Sequence, residues 1–472
     1  MSTTSPTLVW FRRDFRLDDN GALAAAAEKG GPVVPVFILD PDVDQLGAAP
    51  AWRLEQAIEH FGAVLEGMGS RLILRRGKAL DMLRDLVAET GAGAVHWNRY
   101  YQPQVVARDR EVKAALKEDG LEACSFDGMV LRDPWEVRTQ SGDPYRVYSP
   151  FWKSLRGMDI PAPRDPPGAL PAPDTWPESE RLADWGLGGA MNRGAEIVAG
   201  HARIGEAAAR DRLDEFLDGS VARYAADRNR LDRPDATSGL SEPLAWGEIS
   251  PRRIFHTVQG RDAAGTKGAE KFLSELGWRD FAWHIHHSFP ALAEENWSDG
   301  WDNFPWREEN DDAEAWQRGL TGEEMVDAAM RELYVTGRMH NRARMLVASY
   351  LTKHYLVHWR VGLRWFEHCL IDWDPASNGM GWQWVAGSGP DAAPYFRVFN
   401  PALQAEKFDP KGSYRRLYLD PEADGANAFL RAVPRSWGLG EGARPDTPRI
   451  SLKDGRDRAL GAYEAMKSGR GD

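Results

Sequence analysis

The chain has 472 residues, of which 42% are hydrophobic and 28% charged, so it can bury a large core in two or three folding units. Its net charge of −12 opposes long-range attraction to a polyanion unless a local basic face overrides it. Cys124 and Cys369 lie far apart, which excludes a disulfide framework and a cysteine-rich zinc site. The sequence contains neither an apolar stretch of about 18 residues nor a signal-peptide pattern. We therefore expect a cytoplasmic protein without a membrane segment.

The first 135 residues alternate β-rich runs with helical stretches, which is typical of a doubly wound parallel α/β domain. Asn20 is a good N-cap for the helix that follows the first run. A G-x-G-x-x-G turn does not follow that run, so a Rossmann dinucleotide site is not indicated here. The predicted strands are TLVWF, VVPVFIL, RLILRR, AVHWN and EACSF, and the predicted helices include residues 51–67, 78–90 and 104–118.

A proline-rich linker follows this domain. Residues 160–178 contain seven prolines, which are incompatible with a helix or a central strand. From about residue 200, helical periodicity dominates and predicts an all-α domain. The sequence thus divides into an α/β domain at 1–135, a linker at 136–199 and a helical domain at 200–472.

Tryptophan is abundant in the second half of the chain. Eight of the 20 tryptophans lie between residues 301 and 400, and most are interpreted as core residues. Trp382 and Trp384 differ because they lie in the glycine-rich segment NGMGWQWVAGSG. The upstream segment HNRAR places cationic and amide donors at helical spacing, although a solvated charged face has the same pattern.

Two other groups of residues suggest metal or acid–base chemistry. His284 and His287 of the HIHH run share a helix face, but no carboxylate or thiolate lies at ligand spacing, so no metal site is predicted. Asp372 and Asp374 of the DWD run are, in isolation, candidates for metal ligands or for a paired acid and base.

Five ordered motifs resemble those of the photolyase/cryptochrome family. They are LVWFRRDFRLDDNGAL near the N-terminus, TSGLSEPLAWGEISPR at 237–252, ELGWRDF at 275–281, GRMHNRARM at 337–345, and LIDWDPASNGMGWQW with GPDAAPYFRVFNP at 370–401. The resemblance covers essentially the whole chain and is nearest to microbial photolyases that repair cyclobutane pyrimidine dimers. It implies an N-terminal α/β domain, a long linker and a C-terminal helical domain that binds FAD.

The resemblance also implies how FAD is held. The TSGLS motif corresponds to a phosphate-contacting segment, where hydroxyl and backbone N–H groups suit an anion. Relatives commonly carry Arg at the position of Gly239, so one charge-assisted contact is expected to be missing. Arg344 is expected to pair with Asp372 beside the flavin, with Asp374 at the pyrimidine edge of the ring and Asn378 facing N5. The implied cofactor-binding residues are Tyr224, Thr237, Ser238, Gly239, Leu240, Ser241, Arg279, Arg344, Asp372, Trp373, Asp374 and Asn378.

The implied substrate is ultraviolet-damaged DNA, bound by a monomeric protein. A dimer must leave the stacked duplex to approach a buried flavin, and a damaged step is the least costly to extrude. Trp278 and Trp384 correspond to an aromatic wall around the extruded lesion. Glu275 and Asn341 correspond to residues that bond its pyrimidine edges, and Met345 to the side chain below it. The implied DNA- and substrate-binding residues are Arg228, Glu275, Trp278, Arg279, Asn341, Arg342, Trp384 and Gln404.

The implied mechanism is a light-driven electron transfer. Photoexcited reduced FAD donates an electron to the dimer, the cyclobutane ring splits, and the electron returns. Trp382, Trp359 and Trp306 correspond to a relay that restores the reduced flavin, and Glu275 is expected to stabilise the dimer radical anion. The residues assigned to catalysis are Glu275, Asn341, Met345, Asn378, Trp306, Trp359 and Trp382.

Three alternatives stay open at this point. Photolyases specific for (6-4) products typically carry paired His residues where this chain has His340 and Asn341, and His where it has Met345. Signalling cryptochromes often carry long C-terminal tails, whereas the recognisable region here runs almost to the end of the chain. The third alternative is a generic nucleotide-binding α/β protein, which the motifs of the second half disfavour.

An antenna chromophore is the least determined cofactor. Folate-binding relatives often carry Asn-Glu where this chain has Gln104 and Val105, and a Lys near Ala293, Glu294 and Glu295. That folate site is therefore expected to be absent. A deazaflavin, a differently seated folate and an empty pocket remain open.

Overall fold

The computed structural model describes residues 5–192, 194–391, 396–432 and 444–468. The N-terminal part contains a five-stranded parallel sheet with the strand order β3-β2-β1-β4-β5. In the central pairs, Thr7 of β1 lies opposite Val33 of β2 and Ala94 of β4. The strands are β1 (Thr7–Phe11), β2 (Val33–Leu39), β3 (Ile73–Arg76), β4 (Ala94–Asn98) and β5 (Glu122–Phe126).

Helices cover both faces of the sheet, and this explains why its central strands are almost continuously apolar. Phe11, Phe37 and Phe61 belong to the core on one face, and Trp10 and Trp97 to the core on the other. The predicted N-cap is present, since the Asn20 side chain accepts a hydrogen bond from Leu23 N. The covering helices are α1 (Gly21–Glu28), α2 (Ala48–Gly67), α3 (Ala79–Thr90) and α4 (Pro103–Glu118).

The segment after β5 is closely packed rather than free. It contains α5 (Tyr148–Arg156), and residues 157–181, which follow this helix, contain neither helix nor strand, as the prolines predict. Backbone hydrogen bonds attach it to the sheet domain, where Pro171 O accepts from Val33 N and Glu180 N donates to Leu74 O. The division of the chain at residues 135 and 199 stays a prediction.

The second half is helical, as predicted. Its largest core surrounds Trp316, Phe366 and Trp382. Within the described ranges no helix combines the length and the apolar composition needed to cross a bilayer. Short 3-10 helices occupy Leu182–Trp185, Leu187–Met191, Val221–Arg223, Pro234–Ala236, Pro290–Ala293 and Asp299–Asn303, and a π-helical turn occupies Tyr350–His354. The α-helices after α5 are α6 (Gly194–Ala199), α7 (Glu206–Gly219), α8 (Tyr224–Asp227), α9 (Ser241–Trp246), α10 (Pro251–Gln259), α11 (Lys267–Ser288), α12 (Asp311–Gln317), α13 (Glu324–Thr336), α14 (Asn341–Ser349), α15 (Trp359–Cys369), α16 (Pro375–Ala386), α17 (Pro401–Phe408), α18 (Ser413–Leu419), α19 (Asp424–Ala432) and α20 (Leu452–Ser468).

A buried ion network joins the sheet domain to the helices. Arg53 of α2 donates to Glu242 and to Glu248, each at 2.6 Å, and all three side chains are buried. Arg338 contacts the second oxygen of Glu242. Removing one partner of such a network leaves an uncompensated buried charge, so the network holds the two parts in one arrangement.

Candidate functional site

Two adjoining cavities in the helical part bring together most of the residues predicted to bind the cofactor. The larger has a volume of about 770 Å³ and the smaller about 140 Å³, and Asn341 and Arg344 line both. Of the predicted residues, Tyr224, Thr237, Ser238, Gly239, Leu240, Ser241 and Asp372 also line the larger cavity. Met345, Asn378 and Trp382 also line the smaller one.

The predicted pair of Arg344 and Asp372 lies at the wall of the larger cavity. Arg344 Nη2 donates to Asp372 Oδ2 at 2.7 Å, and Arg344 Nε donates to Met339 O at 2.8 Å. Asp372 is buried, and its Oδ1 has no hydrogen-bond partner among the described residues. Because a buried acceptor rarely stays unpaired, this oxygen indicates a ligand or water that donates a hydrogen bond.

A cation that the sequence motifs missed lies beside the TSGLS segment. Gly239 has a φ of +64°, in the left-handed region that favours glycine, and a Cβ at this position would collide with the guanidinium of Arg212. Arg212 Nε donates to Ser238 O at 2.7 Å, and burial lowers the pKa of Arg212. It lines the larger cavity and forms no ion pair with a described carboxylate. The cavity therefore contains, beside Gly239, a guanidinium without a direct ion-pair partner among the described residues.

The start of α16 shapes the smaller cavity. Asp374 is the N-cap of this helix, and its side chain accepts hydrogen bonds from Ser377 N at 2.7 Å and Trp283 Nε1 at 3.0 Å. Asn378 Nδ2 donates to Asp374 O at 3.0 Å. Asp374 lines neither cavity, so its contacts position Asn378 and the helix rather than the cavity wall.

Arg279 and Trp373 also lie outside the two cavities. Arg279 donates to Met129 O at 2.8 Å and to Leu244 O at 3.4 Å, between the sheet domain and α9. Trp373 lines a different cavity between the two parts of the chain. Their assignment to FAD stays a prediction.

The three predicted relay tryptophans run from the core towards the surface. Trp382 is buried at the smaller cavity, and its indole N–H has no partner among the described residues. Trp359 is buried and Trp306 is half-buried. The His358 ring lies between these two, with its centroid 5.4 Å from the Trp359 ring and 5.1 Å from the Trp306 ring. Trp382 and Trp359 are thus both buried, and Trp306 is the member of the three that is partly exposed.

Close packing of two helices holds Trp382 in place. A Cβ at Gly362 of α15 would collide with the Trp382 ring, so this position favours glycine through the close approach of the helix. On its other sides the ring contacts Phe366, with centroids 4.9 Å apart, and Trp316, with centroids 6.0 Å apart.

The predicted DNA-contact residues have different partners. Arg228 forms an ion pair with Glu275, which also contacts Lys271 Nζ at 2.7 Å. Arg342 Nη2 donates to Asn229 Oδ1 at 2.9 Å and forms no ion pair with a described carboxylate. Burial, followed by the charges of Arg228 and Arg397, lowers the pKa of Arg342. Arg342 is therefore the better placed of the two predicted arginines to receive an external anion.

The two tryptophans of the predicted lesion wall are both half-buried. Trp278 stacks on Tyr148, with centroids 3.7 Å apart and an interplanar angle of 11°. Trp384 Nε1 donates to Asp391 O at 2.9 Å. Gln404, the remaining predicted DNA-contact residue, is half-buried, and its Oε1 has no described partner.

The comparisons with known proteins identify the family. Residues 7–169 match the family model described as DNA photolyase, and residues 272–464 match the FAD binding domain of DNA photolyase. The chain is 45% identical over 474 residues to the deoxyribodipyrimidine photo-lyase of Agrobacterium fabrum, with 98% of each chain covered. The chain belongs to the photolyase/cryptochrome family. The family plan confirms the predicted fold and the presence of an FAD-binding domain.

Photolyase/cryptochrome structures superpose on the whole molecule. The crystal structure of a bacterial class III photolyase from Agrobacterium tumefaciens has a TM-score of 0.90 and 44% identity, and 99% of each chain is covered. A cryptochrome of Synechocystis has a TM-score of 0.83 and 28% identity, with 99% of this chain and 100% of that one covered. An archaeal photolyase from Sulfolobus tokodaii, solved with two FAD molecules, has a TM-score of 0.79 and 26% identity, with 98% of this chain and 100% of that one covered.

The three histidines of the HIHH run have separate environments. His284 Nδ1 lies 3.1 Å from Pro134 O, the His286 ring packs against Trp283, and the His287 ring packs against Tyr101 and Trp135. Burial lowers the pKa of His284 and of His286 to about 4. Both rings are thus neutral at physiological pH.

Sequence spacing missed one cluster of potential metal ligands. His96 and Cys124 are register partners on β4 and β5, and Glu122 lies on the same face of the sheet. Lys29 Nζ lies 2.6 Å from Glu122 Oε2, so an ammonium already balances this carboxylate. The sequence did not indicate this cluster, because His96 and Cys124 lie on different strands and come together only when β4 pairs with β5.

Another cavity, of about 850 Å³, lies between the sheet domain and the helices of the second half. Of the five positions that bear on folate binding, Gln104, Val105, Ala293 and Glu294 line it, and Glu295 does not. Its lining contains five arginines and three carboxylates, but two of the arginines are already paired, Arg12 with Asp109 and Arg108 with Asp40 and Asp109. The lining arginines are Arg12, Arg13, Arg108, Arg360 and Arg364, and the lining carboxylates are Asp44, Glu294 and Glu367.

Proposed function

We propose that this protein is a light-dependent photolyase that splits cyclobutane pyrimidine dimers in DNA. The observation that carries the proposal is the convergence of Asn341, Met345, Asn378 and Trp382 on one small cavity, which adjoins the larger cavity through Arg344. The full-length similarity to proteins named deoxyribodipyrimidine photo-lyase supports DNA repair as the class of function.

The two adjoining cavities fit FAD by their chemistry. Arg212 lies beside the TSGLS segment without a direct ion pair to a described carboxylate, which suits a diphosphate. The Asp372 Oδ1, which has no described partner, suits a group that donates a hydrogen bond. Residues that would hold the cofactor are Tyr224, Arg212, the segment 237–241, Arg344, Asp372 and Asn378. When bound and reduced, FAD supplies one electron to the dimer on illumination and recovers it after the ring has split.

The chain itself positions the reactants and excludes water. Ala348, Phe366 and Val385 give the smaller cavity an apolar wall, which strengthens the electrostatic contacts inside it. Asn378 Nδ2 donates to Asp374 O, which orients the amide at the cavity. Trp382, next to this cavity, has an oxidisable indole that can deliver an electron inward through the relay from Trp359 and Trp306.

The lesion would lie between Trp278 and Trp384 after leaving the duplex. Asn341, at the start of α14, is exposed and lines both cavities, so it can bond a pyrimidine edge at their mouth. Arg228 and Lys271 hold the Glu275 carboxylate in place for the same purpose. Arg342 would contact a phosphate and so position the strand.

Two alternative functions remain candidates within the family. The chain lacks the His pair and the third His expected for repair of (6-4) products, since it has Asn341 and Met345. His340 is the N-cap of α14, where its Nδ1 accepts from Arg342 N, and burial lowers its pKa to about 4. A signalling role is the other candidate, because cryptochrome-2 of Arabidopsis thaliana is 34% identical over 93% of this chain and 72% of that one.

Substrate choice tests the proposal. Three otherwise identical oligonucleotides are prepared with one cyclobutane dimer, with one (6-4) product or with no lesion, and each is illuminated with the reduced protein under anaerobic conditions. Chromatography should show restoration of the cyclobutane substrate alone. Restoration of the (6-4) product, or of neither substrate, would contradict the proposal.

We further propose that the cavity between the two parts of the chain binds an antenna chromophore with a net negative charge. Its volume supports a ring system such as a folate or a deazaflavin, and Arg13, Arg360 and Arg364, which form no ion pair with a described carboxylate, could contact its negative charge. Absorption spectra of the chromophores released by denaturation test this. A folate or deazaflavin band beside the flavin bands is expected, and a flavin spectrum alone from protein reconstituted with both pigments would contradict it.

A further inference from the structure

Tyr148 forms the closest aromatic stack in which a predicted lesion residue takes part. The ring of Tyr148 lies parallel to that of Trp278, with the centroids 3.7 Å apart. The Tyr148 hydroxyl donates to Ser274 O at 2.5 Å and lies 2.8 Å from Ser274 Oγ, one helical turn before Trp278 on α11. The phenol is therefore fixed to the helix that carries Trp278, and its ring covers one face of the indole.

A second ring holds Trp278 at its edge, and the indole stays partly exposed. Phe281 contacts the indole in an edge-on arrangement, with centroids 5.8 Å apart, and Trp278 is half-buried whereas Tyr148 is buried. With an edge and a face held by neighbouring rings, the indole cannot rotate without breaking both contacts. A preorganised platform of this kind loses little conformational entropy when a base stacks on it.

We propose that Tyr148 is a positioning residue of the lesion site. It fixes the plane of Trp278 through stacking, while its hydroxyl is held by Ser274 on the same helix as Trp278. The inference rests on the proposed function, in which the two tryptophans enclose the extruded lesion. It adds a residue of α5, outside the matched FAD-binding domain, to the determinants of lesion specificity.

The test compares the affinity of variants for two DNAs. Tyr148→Leu should weaken binding of an oligonucleotide with a cyclobutane dimer by about 2-fold to 10-fold, which corresponds to the contribution of an aromatic pair. Affinity for the undamaged oligonucleotide and FAD content should not change, because Tyr148 contacts neither the proposed phosphate-binding Arg342 nor the two proposed FAD cavities. Tyr148→Phe keeps the stacked ring and should retain most of the discrimination. Tyr145→Leu is the control, since its ring packs against Phe151 and His284 instead.

A double-mutant cycle separates this role from a general effect on folding. In a Trp278→Ala background, Tyr148→Leu should cause no further loss of discrimination, because the residue acts through the missing indole. Unchanged discrimination in the single variant, or an equal additional loss in the double variant, would overturn the inference. Tyr148→Met, which preserves volume without a ring, replaces Leu if that variant unfolds, with the same expected loss. If the unaltered protein itself fails to discriminate, the proposed function fails instead.

Discussion

The Arg212→Met substitution tests whether Arg212, which the sequence motifs did not predict, contributes to FAD binding in the larger cavity. Methionine retains the apolar stem of the side chain but removes the guanidinium beside Gly239. A hydrogen bond to a charged group contributes about 1.5–3 kcal/mol. Because Arg212 is only half-buried, solvent screening favours the lower end of this range, or roughly a tenfold increase in the Kd for FAD.

The assay is a titration of the apoprotein that follows flavin fluorescence. Riboflavin is titrated in parallel, since it has the ring without the diphosphate, and its affinity should be equal for the two proteins. Arg210→Met is the matched control, because Arg210 lies on the same helix but pairs with Glu206 and does not line the cavity. Unchanged FAD affinity in the Arg212 variant, or an equal loss for riboflavin, would refute a contact to the diphosphate.

Three further substitutions test the other assigned roles. Trp278→Ala should remove a stacking platform worth about 1–3 kcal/mol, roughly tenfold to a hundredfold in lesion affinity, with FAD still bound, and unchanged discrimination in a filter-binding assay would contradict this role. Arg342→Ala should reduce the slope of log K against log salt by about one phosphate's worth, and an identical slope would exclude a backbone contact. Trp382→Phe should abolish or nearly abolish photoreduction of the flavin with an external reductant, while the dithionite-reduced variant still splits dimers under light. Normal photoreduction would remove Trp382 from the relay.

Local patterns predicted the architecture well because they report backbone preference directly. All five β-rich runs became strands, although β3 begins at Ile73 within the predicted run RLILRR. The helix predicted at 51–67 begins earlier, at Ala48. The proline-rich segment lacks helix and strand as predicted, but its attachment to β2 and β3 depends on tertiary hydrogen bonds that composition does not encode.

Candidate site residues could be predicted where they lie in a recognisable motif. Residues that reach the site from other segments of the chain could not. Five of the ten residues that line the smaller cavity were predicted as site residues from the motifs, among them Asn341 and Trp382. Arg212 and Tyr148 were missed because each contacts the site from another helix, and neither lies in a segment that resembles a family motif. Because Gly239 replaces an Arg common in relatives, the sequence predicted that a positive charge would be missing here. In the structure, Arg212 of α7 places a guanidinium beside Gly239.

Light-dependent reversal of a cyclobutane dimer measures the central claim most directly. Purified, dithionite-reduced protein is mixed with ultraviolet-irradiated oligo-dT under anaerobic conditions, and the recovery of thymine absorbance is followed in matched illuminated and dark samples. The proposed function predicts recovery under blue or near-ultraviolet light, with many dimers repaired per protein molecule, and no recovery in the dark. Equal absorbance in the two samples, from protein with its full content of reduced FAD, would contradict it.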